Sequence, residues 1–414
     1  MTAVRDAWQA LWWSRLLVWA AGAGTLLSFG WGPVRGAFNP PGVTRGFGPL
    51  GDLLAGPAAR WDASWYLVIA HYGYRPDLGS FTASRTAFFP LYPLGIRGFS
   101  DLGLPPVLAG VLISLVAFAL ALYGIHRLAT LELGPSVARL SVLLTAFAPM
   151  AFFLSAVYTE SLYLALSVGL FWSARHGRWM WVGVLGALAA ATRSAGVLLL
   201  LPALLLYLHG PREDRPPDLA GAVRRYRLRA DALWLALVPL GAAVYMAYLG
   251  LSGGDALLPF HAQDVWNRHF AGPFVGVWDG LRAGFDGLRQ LLSGQSHHVY
   301  FAPSQGSPMI AAGHNVLLLA FLLLALPALV GVWRRLPIAY SVYLLAALAL
   351  PLSTPVASQP LMSLPRFLVV LFPLSIWAAA WLAPRRRLAI AALALSALLM
   401  ALFVAQFSTW HWVA

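Results

Sequence analysis

One aspartate stands in a segment whose residue types could support acid–base chemistry. Asp62 is the third residue of RWDASWYLVIAHYGY, which runs from Arg60 to Tyr74. A carboxylate that is held rigidly beside an acceptor hydroxyl can take up its proton and so act as a general base. The alternative is structural, because Asp62 also stands where its oxygens could accept backbone N–H bonds at the start of a helix.

Two further charged residues interrupt strongly apolar stretches. Glu160 lies in SAVYTES and Arg193 in ATRSAG. Ionisable groups in such surroundings are costly, so they are candidates for function. Arg193 could bind a phosphate through the forked geometry of its guanidinium group. The structural alternatives are an ion pair between Arg193 and Glu160, or a role for Glu160 in capping a helix that begins near Ser161.

Weaker signals occur elsewhere. The stretch HAQDVWNRHF at 261–270 mixes polar and aromatic residues as carbohydrate sites do, although a solvated loop would look the same. Arg366 is a lone cation that could bind a lipid phosphate or simply anchor a helix at the membrane surface. The run FFPLYP at 88–93 could shape a groove for a prenyl chain, but prolines are also ordinary in the first turn of a helix.

The composition indicates what kind of molecule positions these residues. Of the 414 residues, 60% are hydrophobic and only 10% are charged, whereas soluble domains carry roughly 25% charged residues. Too few charges remain to cover a water-facing surface, so lipid must cover most of it. The net charge of +13 is carried by arginines in short clusters between apolar runs. This pattern is typical of cytoplasmic loops and does not indicate nucleic-acid binding. The absence of cysteine excludes disulfides and thiol nucleophiles.

Helix periodicity and length predict an all-α, polytopic transmembrane bundle. A bilayer core needs about 20 apolar residues per crossing, which predicts about eleven spans. The run at 86–101 is short for a span and that at 180–207 is too long for one simple crossing. Beyond Asp62, the spacing of Trp65, Ile69 and Tyr72 predicts a short amphipathic helix in the membrane interface. The predicted spans are 11–30, 86–101, 104–126, 136–154, 156–174, 180–207, 232–251, 312–333, 337–356, 366–383 and 388–407.

The arginine clusters predict the orientation of the bundle. If the N-terminus is cytoplasmic, the clusters at 209–231, 334–335 and 385–387 all face the cytoplasm. Two long polar segments, 31–85 and 252–311, then face outward, and long ordered loops usually carry function. We therefore expect an extracytoplasmic site, with a core at 1–251 that includes the loop at 31–85, a second loop at 252–311 and C-terminal helices at 312–414.

Several motifs together resemble a known family. The segment from Arg60 to Tyr74, followed by FFPLYP, is similar to the eukaryotic GPI mannosyltransferases that add the second mannose (the PIG-V-like family) and to their bacterial relatives. YTESL at 158–162 and RS at 193–194 match later motifs of that family in order. The stretch around Gln263 and the PRF motif containing Arg366 look like its C-terminal motifs. The resemblance covers roughly residues 55–370.

The resemblance implies a GT-C fold and a sugar donor linked to polyprenyl phosphate. It also implies that Asp62 is the catalytic base in the first extracytoplasmic loop, with mannose as the sugar. A bacterial chain would have no GPI acceptor, so that acceptor is not carried over. Candidates for binding the donor or the acceptor are Arg60, Trp61, Tyr66, His71, Tyr74, Phe89, Tyr92, Glu160, Arg193, Gln263, Trp266, Asn267 and Arg366.

We therefore predict an inverting glycosyltransferase of a bacterial plasma membrane. Its partners would be a polyprenyl-phosphate sugar, a lipid or glycan acceptor and membrane lipids. No cofactor is expected, and a divalent metal is not favoured because Asp62 is the one strong outer carboxylate. A transporter or flippase for a lipid-linked sugar is the main alternative, although inverted repeats, which many transporters show, are not visible. A non-catalytic membrane scaffold would tolerate replacement of Asp62, Glu160 and Arg193 together.

Overall fold

The computed structural model describes residues 2–32, 40–44, 48–75, 84–217, 226–300 and 307–413, and the helices among them form a bundle. Within these ranges the fold is all-helical, and the one β-type contact is an isolated bridge between Val356 and Gln359. The α-helices are α1 (Thr2–Phe29), α2 (Pro41–Thr44), α3 (Gly48–Ala55), α4 (Ala63–Tyr72), α5 (Leu91–Asp101), α6 (Pro106–Leu133), α7 (Pro135–Ala146), α8 (Glu160–Arg175), α9 (Trp179–Ala190), α10 (Leu200–His209), α11 (Leu240–Gly253), α12 (Leu258–His261), α13 (Val275–Ser293), α14 (Pro308–Arg335), α15 (Ile338–Ser353), α16 (Leu364–Val369), α17 (Phe372–Leu382) and α18 (Arg386–Ser408). Short 3-10 helices cover Gly56–Ala59, Ser84–Ala87, Ala151–Leu154, Ser194–Leu199, Ala230–Leu237 and Ala262–Trp266.

Long apolar helices make the chain an integral membrane protein. Among the described residues, α6, α14 and α18 are long and apolar enough to cross a bilayer. A fourth crossing is formed if the 3-10 helix Ala230–Leu237 and α11, which meet at a bend of 43°, count as one span. Five shorter apolar helices accompany them. The predicted number of about eleven spans is therefore not confirmed by helix length and composition.

The short run predicted as a span at 86–101 is not one. Its helix, α5, has 11 residues and is about 16 Å long at the usual rise per residue, far less than a bilayer core. The chain cannot extend the helix backwards because Pro90 occupies its N-cap. The prolines at 105 and 106 then start α6. Helix α5 is therefore a short element beside the site and does not cross the membrane.

The overlong run at 180–207 folds back on itself. Helix α9 ends at Ala190, and the chain continues through an extended Arg193 into the 3-10 helix that precedes α10. The far ends of the two helices meet, since the rings of Trp179 and Tyr207 lie 4.5 Å apart. The run at 180–207, which is too long for one simple crossing, is thus a helical hairpin whose turn carries Arg193.

Helix α4, which follows Asp62, is more deeply buried than predicted. Of the three residues at helical spacing, Trp65 and Ile69 are 8% and 4% exposed, whereas Tyr72 is 54% exposed. Trp65 stacks on Phe88 at 5.5 Å and meets the edge of Trp266 at 6.0 Å. Aromatic residues from two other segments cover this face. The position of the helix in the membrane interface stays a prediction.

The bundle has two chemically different ends. Helix α8 starts at Glu160 and ends at Arg175, a length of about 24 Å. At its far end Arg175 forms ion pairs with Glu132 and Glu213, and Tyr340 donates a hydrogen bond to Glu132 at 2.7 Å. Pro211, beside Arg212, accepts a hydrogen bond from Arg175 at 2.8 Å, so this arginine-rich stretch begins at the same end. Arg334 and Arg335 end α14 just before Tyr340 and so lie near it as well. The opposite end, which holds Glu160, carries the site described below.

A buried arginine supports the irregular segment before α8. Arg15 of α1 is 1% exposed. Its guanidinium group donates hydrogen bonds to the carbonyl oxygens of Ala146 (3.2 Å) and Ala151 (2.9 Å) and to the hydroxyl of Ser155 (2.7 Å). Ala146 is the last residue of α7, so its carbonyl group lacks a helical partner. Arg15 thus satisfies backbone groups that the broken helix leaves unpaired.

The second polar segment contains one long helix, α13, packed by glycines. Gly276, Gly280, Gly284 and Gly287 are buried on one face. A Cβ atom at Gly287 would lie 2.8 Å from the carbonyl oxygen of Ala312 in α14. The glycines therefore allow the backbones of α13 and α14 to approach closely, and this contact anchors the second polar segment against the bundle.

Candidate active site

A cavity of about 480 Å³ opens at the Glu160 end of the bundle. Segments far apart in the sequence line it, including both long polar segments, the turn at Arg193 and the region around α16. Its walls contain Trp61, Asp62, Tyr66, Ala87, Phe88, Phe89, Thr159, Tyr163, Thr192, Arg193, Ser194, Ala195, Pro259, Phe260, Gln263, Trp266, Arg268, Ala347, Leu350, Pro351, Thr354, Met362, Ser363, Arg366, Phe367, Val370, Leu371 and Trp412.

Asp62 faces this cavity and does not cap its helix. It occupies the N-cap position of α4 but makes no side-chain capping bond. Its Oδ2 atom instead accepts a hydrogen bond from Nη1 of Arg366 at 2.9 Å. The structural alternative of a helix cap is therefore wrong, and the carboxylate is held by a cation from the other end of the chain. Arg60, the neighbouring cation in sequence, is not that partner.

Glu160 lies behind the cavity wall as the shared partner of two arginines. Its side chain is 1% exposed. Its Oε1 atom is 3.3 Å from Nε of Arg366 and 3.7 Å from Nη2 of Arg193. The Arg193–Glu160 pair predicted from the sequence is present, but Arg366 joins it. Asp62, Arg366, Glu160 and Arg193 thus form one chain of ion pairs, which we call the charge cluster.

Local backbone features aim these side chains at one another. Glu160 is the first residue of α8, directly after the irregular segment that Arg15 supports. Arg193 sits at the extended turn of the hairpin. Arg366 lies in the first turns of α16, whose N-cap Ser363 has a left-handed backbone with φ of 70°. Each charge therefore sits at the end of a helix or at a break, where a side chain can reach the cavity.

Aromatic residues surround the charge cluster. Trp61 meets Trp410 and Trp412 edge-on, at 5.9 and 5.4 Å between ring centres. The hydroxyl of Tyr66 lies 3.3 Å from that of Thr159, and its ring contacts Phe88 at 5.1 Å. Flat aromatic faces beside hydrogen-bonding groups suit a sugar, which has apolar C–H faces and polar hydroxyls.

The second polar segment contributes one side of the cavity. Gln263 and Trp266, both predicted from the sequence, line it, and Trp266 contacts Phe88 at 5.7 Å. Asn267 does not line it and adopts a left-handed conformation at the end of the 3-10 helix. Arg268 comes next and turns its side chain into the cavity.

Four more of the predicted residues lie outside the cavity. Arg60 points away from it, and its Nε–H group donates to the carbonyl oxygen of Ser408 at 3.1 Å. His71 is exposed at the end of α4. Tyr74 donates to the carbonyl oxygen of Phe88 at 2.8 Å.

Tyr92 is also occupied elsewhere. Its hydroxyl group donates to the carbonyl oxygen of Gly110 at 2.8 Å and lies equally close to the hydroxyl of Ser114, both in α6. Its neighbour Phe89 does line the cavity. In the FFPLYP run, therefore, the two phenylalanines line the cavity, and the tyrosine links α5 to α6 through its hydroxyl group.

Sequence reasoning missed two parts of the cavity. Arg268 was within the recognised polar–aromatic stretch but was not assigned, and a lone cation between aromatic residues was the available signal. The apolar wall formed by Ala347, Leu350, Val370 and Leu371 gave no signal, because these residues look like any membrane-spanning stretch.

The described side chains that could ligate a metal form no evident metal site. Among the residues that the structure describes, no three His, Asp or Glu side chains gather closely enough to hold a metal ion. The two acids of the charge cluster are both turned toward arginines. Metal independence stays a prediction.

Comparison with known proteins points to one family. Residues 49–208 match the family described as Mannosyltransferase (PIG-V). GPI alpha-1,6-mannosyltransferase 2 from mouse is 32% identical over 239 residues, which cover 55% of this chain and 45% of the mouse protein. The rat and human proteins of that name are 32% identical over 175 and 176 residues, or 39% of this chain and 34% of each relative.

The chain thus spans less than half the length of these curated relatives, and no solved structure matches it. The matched region contains Asp62, Glu160 and Arg193 and ends before Arg268 and Arg366. The resemblance predicted from the motifs is confirmed, since residues 49–208 match the PIG-V family and the relatives of that family are 32% identical to this chain.

Proposed function

We propose that the protein is a membrane mannosyltransferase of GT-C type that takes its sugar from a polyprenyl-phosphate donor, with Asp62 as general base. The observation that carries this proposal is the two-part character of the cavity. One end holds the charge cluster and the aromatic residues, and the other is the apolar wall at Ala347, Leu350, Val370 and Leu371. Such a cavity suits a molecule with a sugar phosphate at one end and a hydrocarbon chain at the other.

The proposed reaction is a single displacement. The acceptor hydroxyl loses its proton to the carboxylate of Asp62 while its oxygen attacks the anomeric carbon of the sugar. The bond from that carbon to the phosphate oxygen breaks, and its electron pair leaves with the polyprenyl phosphate. Attack from the face opposite the leaving group inverts the anomeric centre. Positioned general bases supply about 10²- to 10⁴-fold in rate.

Arg366 acts in this scheme by positioning the base. Its 2.9 Å hydrogen bond holds Oδ2 of Asp62. Its second contact, with buried Glu160 at 3.3 Å, fixes the guanidinium group in turn. The second oxygen of Asp62 then stays available for the acceptor. Glu160 is a positioning residue as well, because it lies behind the wall and reaches the cavity only through its arginines.

We further propose that the site faces the outside of a bacterial plasma membrane. The end of the bundle opposite the site carries the arginine-rich connections, and such clusters stay in the cytoplasm. An extracytoplasmic enzyme meets a lipid-linked donor and has no access to cytosolic nucleotide sugars. The acceptor is then a lipid or glycan of the outer leaflet, and we expect no divalent metal to be required.

The decisive experiment replaces Asp62 with Asn in the full chain and measures transfer from polyprenyl-phosphate mannose to acceptors in a membrane extract. Asn keeps the size of the side chain but cannot take up a proton. We expect transfer to fall by at least about 10²-fold, with an unchanged elution profile on size-exclusion chromatography.

The matched control is Asp101→Asn, at an exposed position at the end of α5 with 71% side-chain exposure. It should transfer the sugar at the wild-type rate. Near wild-type transfer by Asp62→Asn would refute the base. Movement of the lipid-linked sugar across proteoliposomes without release of polyprenyl phosphate would instead establish the transporter alternative.

A further inference from the structure

The charge cluster leaves one cation of the cavity without an acid. Arg366 is paired with Asp62 and Glu160, and Arg193 is paired with Glu160. Arg268 also lines the cavity. Among the described residues at the site, three guanidinium groups therefore share two carboxylates, which leaves a net charge of one positive unit.

Arg268 is the group that carries this excess. It forms no ion pair with any acid in the part of the chain that the structure describes. Its guanidinium group donates instead to two backbone carbonyl oxygens, those of Met362 at 3.1 Å and Thr354 at 3.4 Å. Carbonyl groups orient a cation but do not neutralise it. Burial and the nearby charge of Arg366 lower the pKa of Arg268 to about 10, although the charge of Asp62 acts in the opposite direction. The group therefore remains protonated at neutral pH.

The two carbonyl bonds occupy two N–H groups of Arg268, which lines the cavity, and leave the other three without a bond to either carbonyl. A guanidinium group has five N–H donors in one plane and matches a phosphate in a two-pronged arrangement. An isolated positive charge away from water is unfavourable until an anion joins it. The site is thus prepared for a ligand that brings one negative charge.

We propose that Arg268 binds the phosphate of the donor, an inference that rests on the proposed function. A sugar joined to a lipid through a phosphodiester carries one negative charge, which matches the one unpaired positive charge. Arg366 and Arg193, whose charges are already matched by acids, then serve to hold Asp62 and Glu160. When the sugar leaves, the phosphate gains negative charge, and Arg268 is in place to stabilise it.

The test measures binding of two short lipids, farnesyl phosphate and farnesol, to the detergent-purified full chain. The two lipids differ in the phosphate alone, so the ratio of their affinities reports on the phosphate contact. We expect the wild type to prefer the phosphate, and Arg268→Gln to lose roughly 10- to 100-fold of that preference. Farnesol binding should stay unchanged, which verifies that the variant still forms its cavity.

Two comparison variants sharpen the result. Arg282→Gln removes an exposed arginine of α13 and should keep the full preference. Arg193→Gln removes a cation that is already paired and should lose less than Arg268→Gln. Arg268→Lys keeps the charge without the fork and should fall between the wild type and Arg268→Gln.

The inference and the proposed function fail in different ways. If the wild type prefers farnesyl phosphate and Arg268→Gln keeps that preference, or Arg193→Gln loses more of it, Arg268 is not the phosphate residue while the donor class stands. If the wild type binds both lipids equally, the proposed donor class is wrong and the inference falls with it.

Discussion

Arg366 is held between two carboxylates, one at the cavity and one behind it. Its guanidinium group lies 2.9 Å from Asp62, which comes about three hundred positions earlier in the chain. It also lies 3.3 Å from Glu160, the first residue of α8. Breaking a buried ion pair by removing one partner is costly because the other charge is left without compensation. The charge cluster should therefore behave as a unit, both in stability and in activity.

A double-mutant cycle tests this coupling. We expect Arg366→Gln to lower the free energy of unfolding by about 3–5 kcal/mol. The reason is that Asp62 loses its ion-pair partner and Glu160 loses one of its two. The double variant Arg366→Gln with Glu160→Gln should lose less than the sum of the single variants, with a coupling of about 1–3 kcal/mol. Thermal unfolding in detergent gives the measurement.

The exposed pair Arg97–Asp101 provides the control cycle. Its atoms lie 4.0 Å apart with side chains 56% and 71% exposed, and solvent screens such pairs. Its cycle should show no measurable coupling. Additive losses at Arg366 and Glu160 would mean that the cluster is not a unit.

Sequence reasoning identified most of the charges at the site. Glu160 and Arg193 were singled out because a charge in an apolar stretch is expensive. Asp62 was singled out by the residue types around it, and Arg366 as a lone cation at the end of a predicted span. The sequence could not tell which charge pairs with which, because Arg60 beside Asp62 in the chain turns away toward Ser408. Adjacent residues point in different directions in most backbone conformations, so partners across the fold decide the pairing.

At the scale of elements, hydropathy alone does not settle where the runs at 86–101 and 180–207 begin, break and end. Hydropathy reports how much apolar sequence a run contains but not where the chain reverses. The run at 86–101 contains enough apolar residues to suggest a crossing, yet its helix has 11 residues. The run at 180–207 was expected to be too long for one simple crossing, and the extended backbone at Arg193 shows where it breaks. In the first run the helix starts only at Leu91, and in the second the chain reverses at Arg193.

The contact between α13 and α14 gives a prediction about packing. We expect Gly287→Ala to lower the melting temperature, because the added Cβ would lie 2.8 Å from the backbone oxygen of Ala312, which has little room to move. Gly313→Ala in α14 is the matched control, since a Cβ there meets nothing within 4 Å. Alanine in an open helical position stabilises by about 0.5–1 kcal/mol.

Differential scanning fluorimetry compares the two variants. A melting temperature of Gly287→Ala equal to that of Gly313→Ala would show that the two helices can separate without cost. Because α13 belongs to the same polar segment as Arg268, a loosened contact should also weaken binding at the cavity.

At the scale of the whole molecule, the two ends of the bundle predict a topology. The chain has no cysteine, so single cysteines can be introduced without background. His71→Cys, exposed beside the site, should react in intact cells with a maleimide that cannot cross the membrane. Arg334→Cys, at the arginine-rich end, should react only after lysis, because clustered arginines stay inside.

Mass-tag gel shifts report both reactions. The reverse pattern, with Arg334→Cys labelled in intact cells, would place the cavity in the cytoplasm and remove the case for a lipid-linked donor. Labelling of both positions before lysis would indicate damaged membranes. A cytosolic marker protein that stays unlabelled in the same sample verifies that the membranes are intact.

The charge cluster also has a consequence for biogenesis. Translation delivers Asp62 and Glu160 early and Arg366 late. During the interval, the growing bundle must hold two acids in or near the lipid with Arg193 as an available counter-charge. A chain that stalls before α16 therefore has two acids of the charge cluster and one arginine, Arg193, to compensate them.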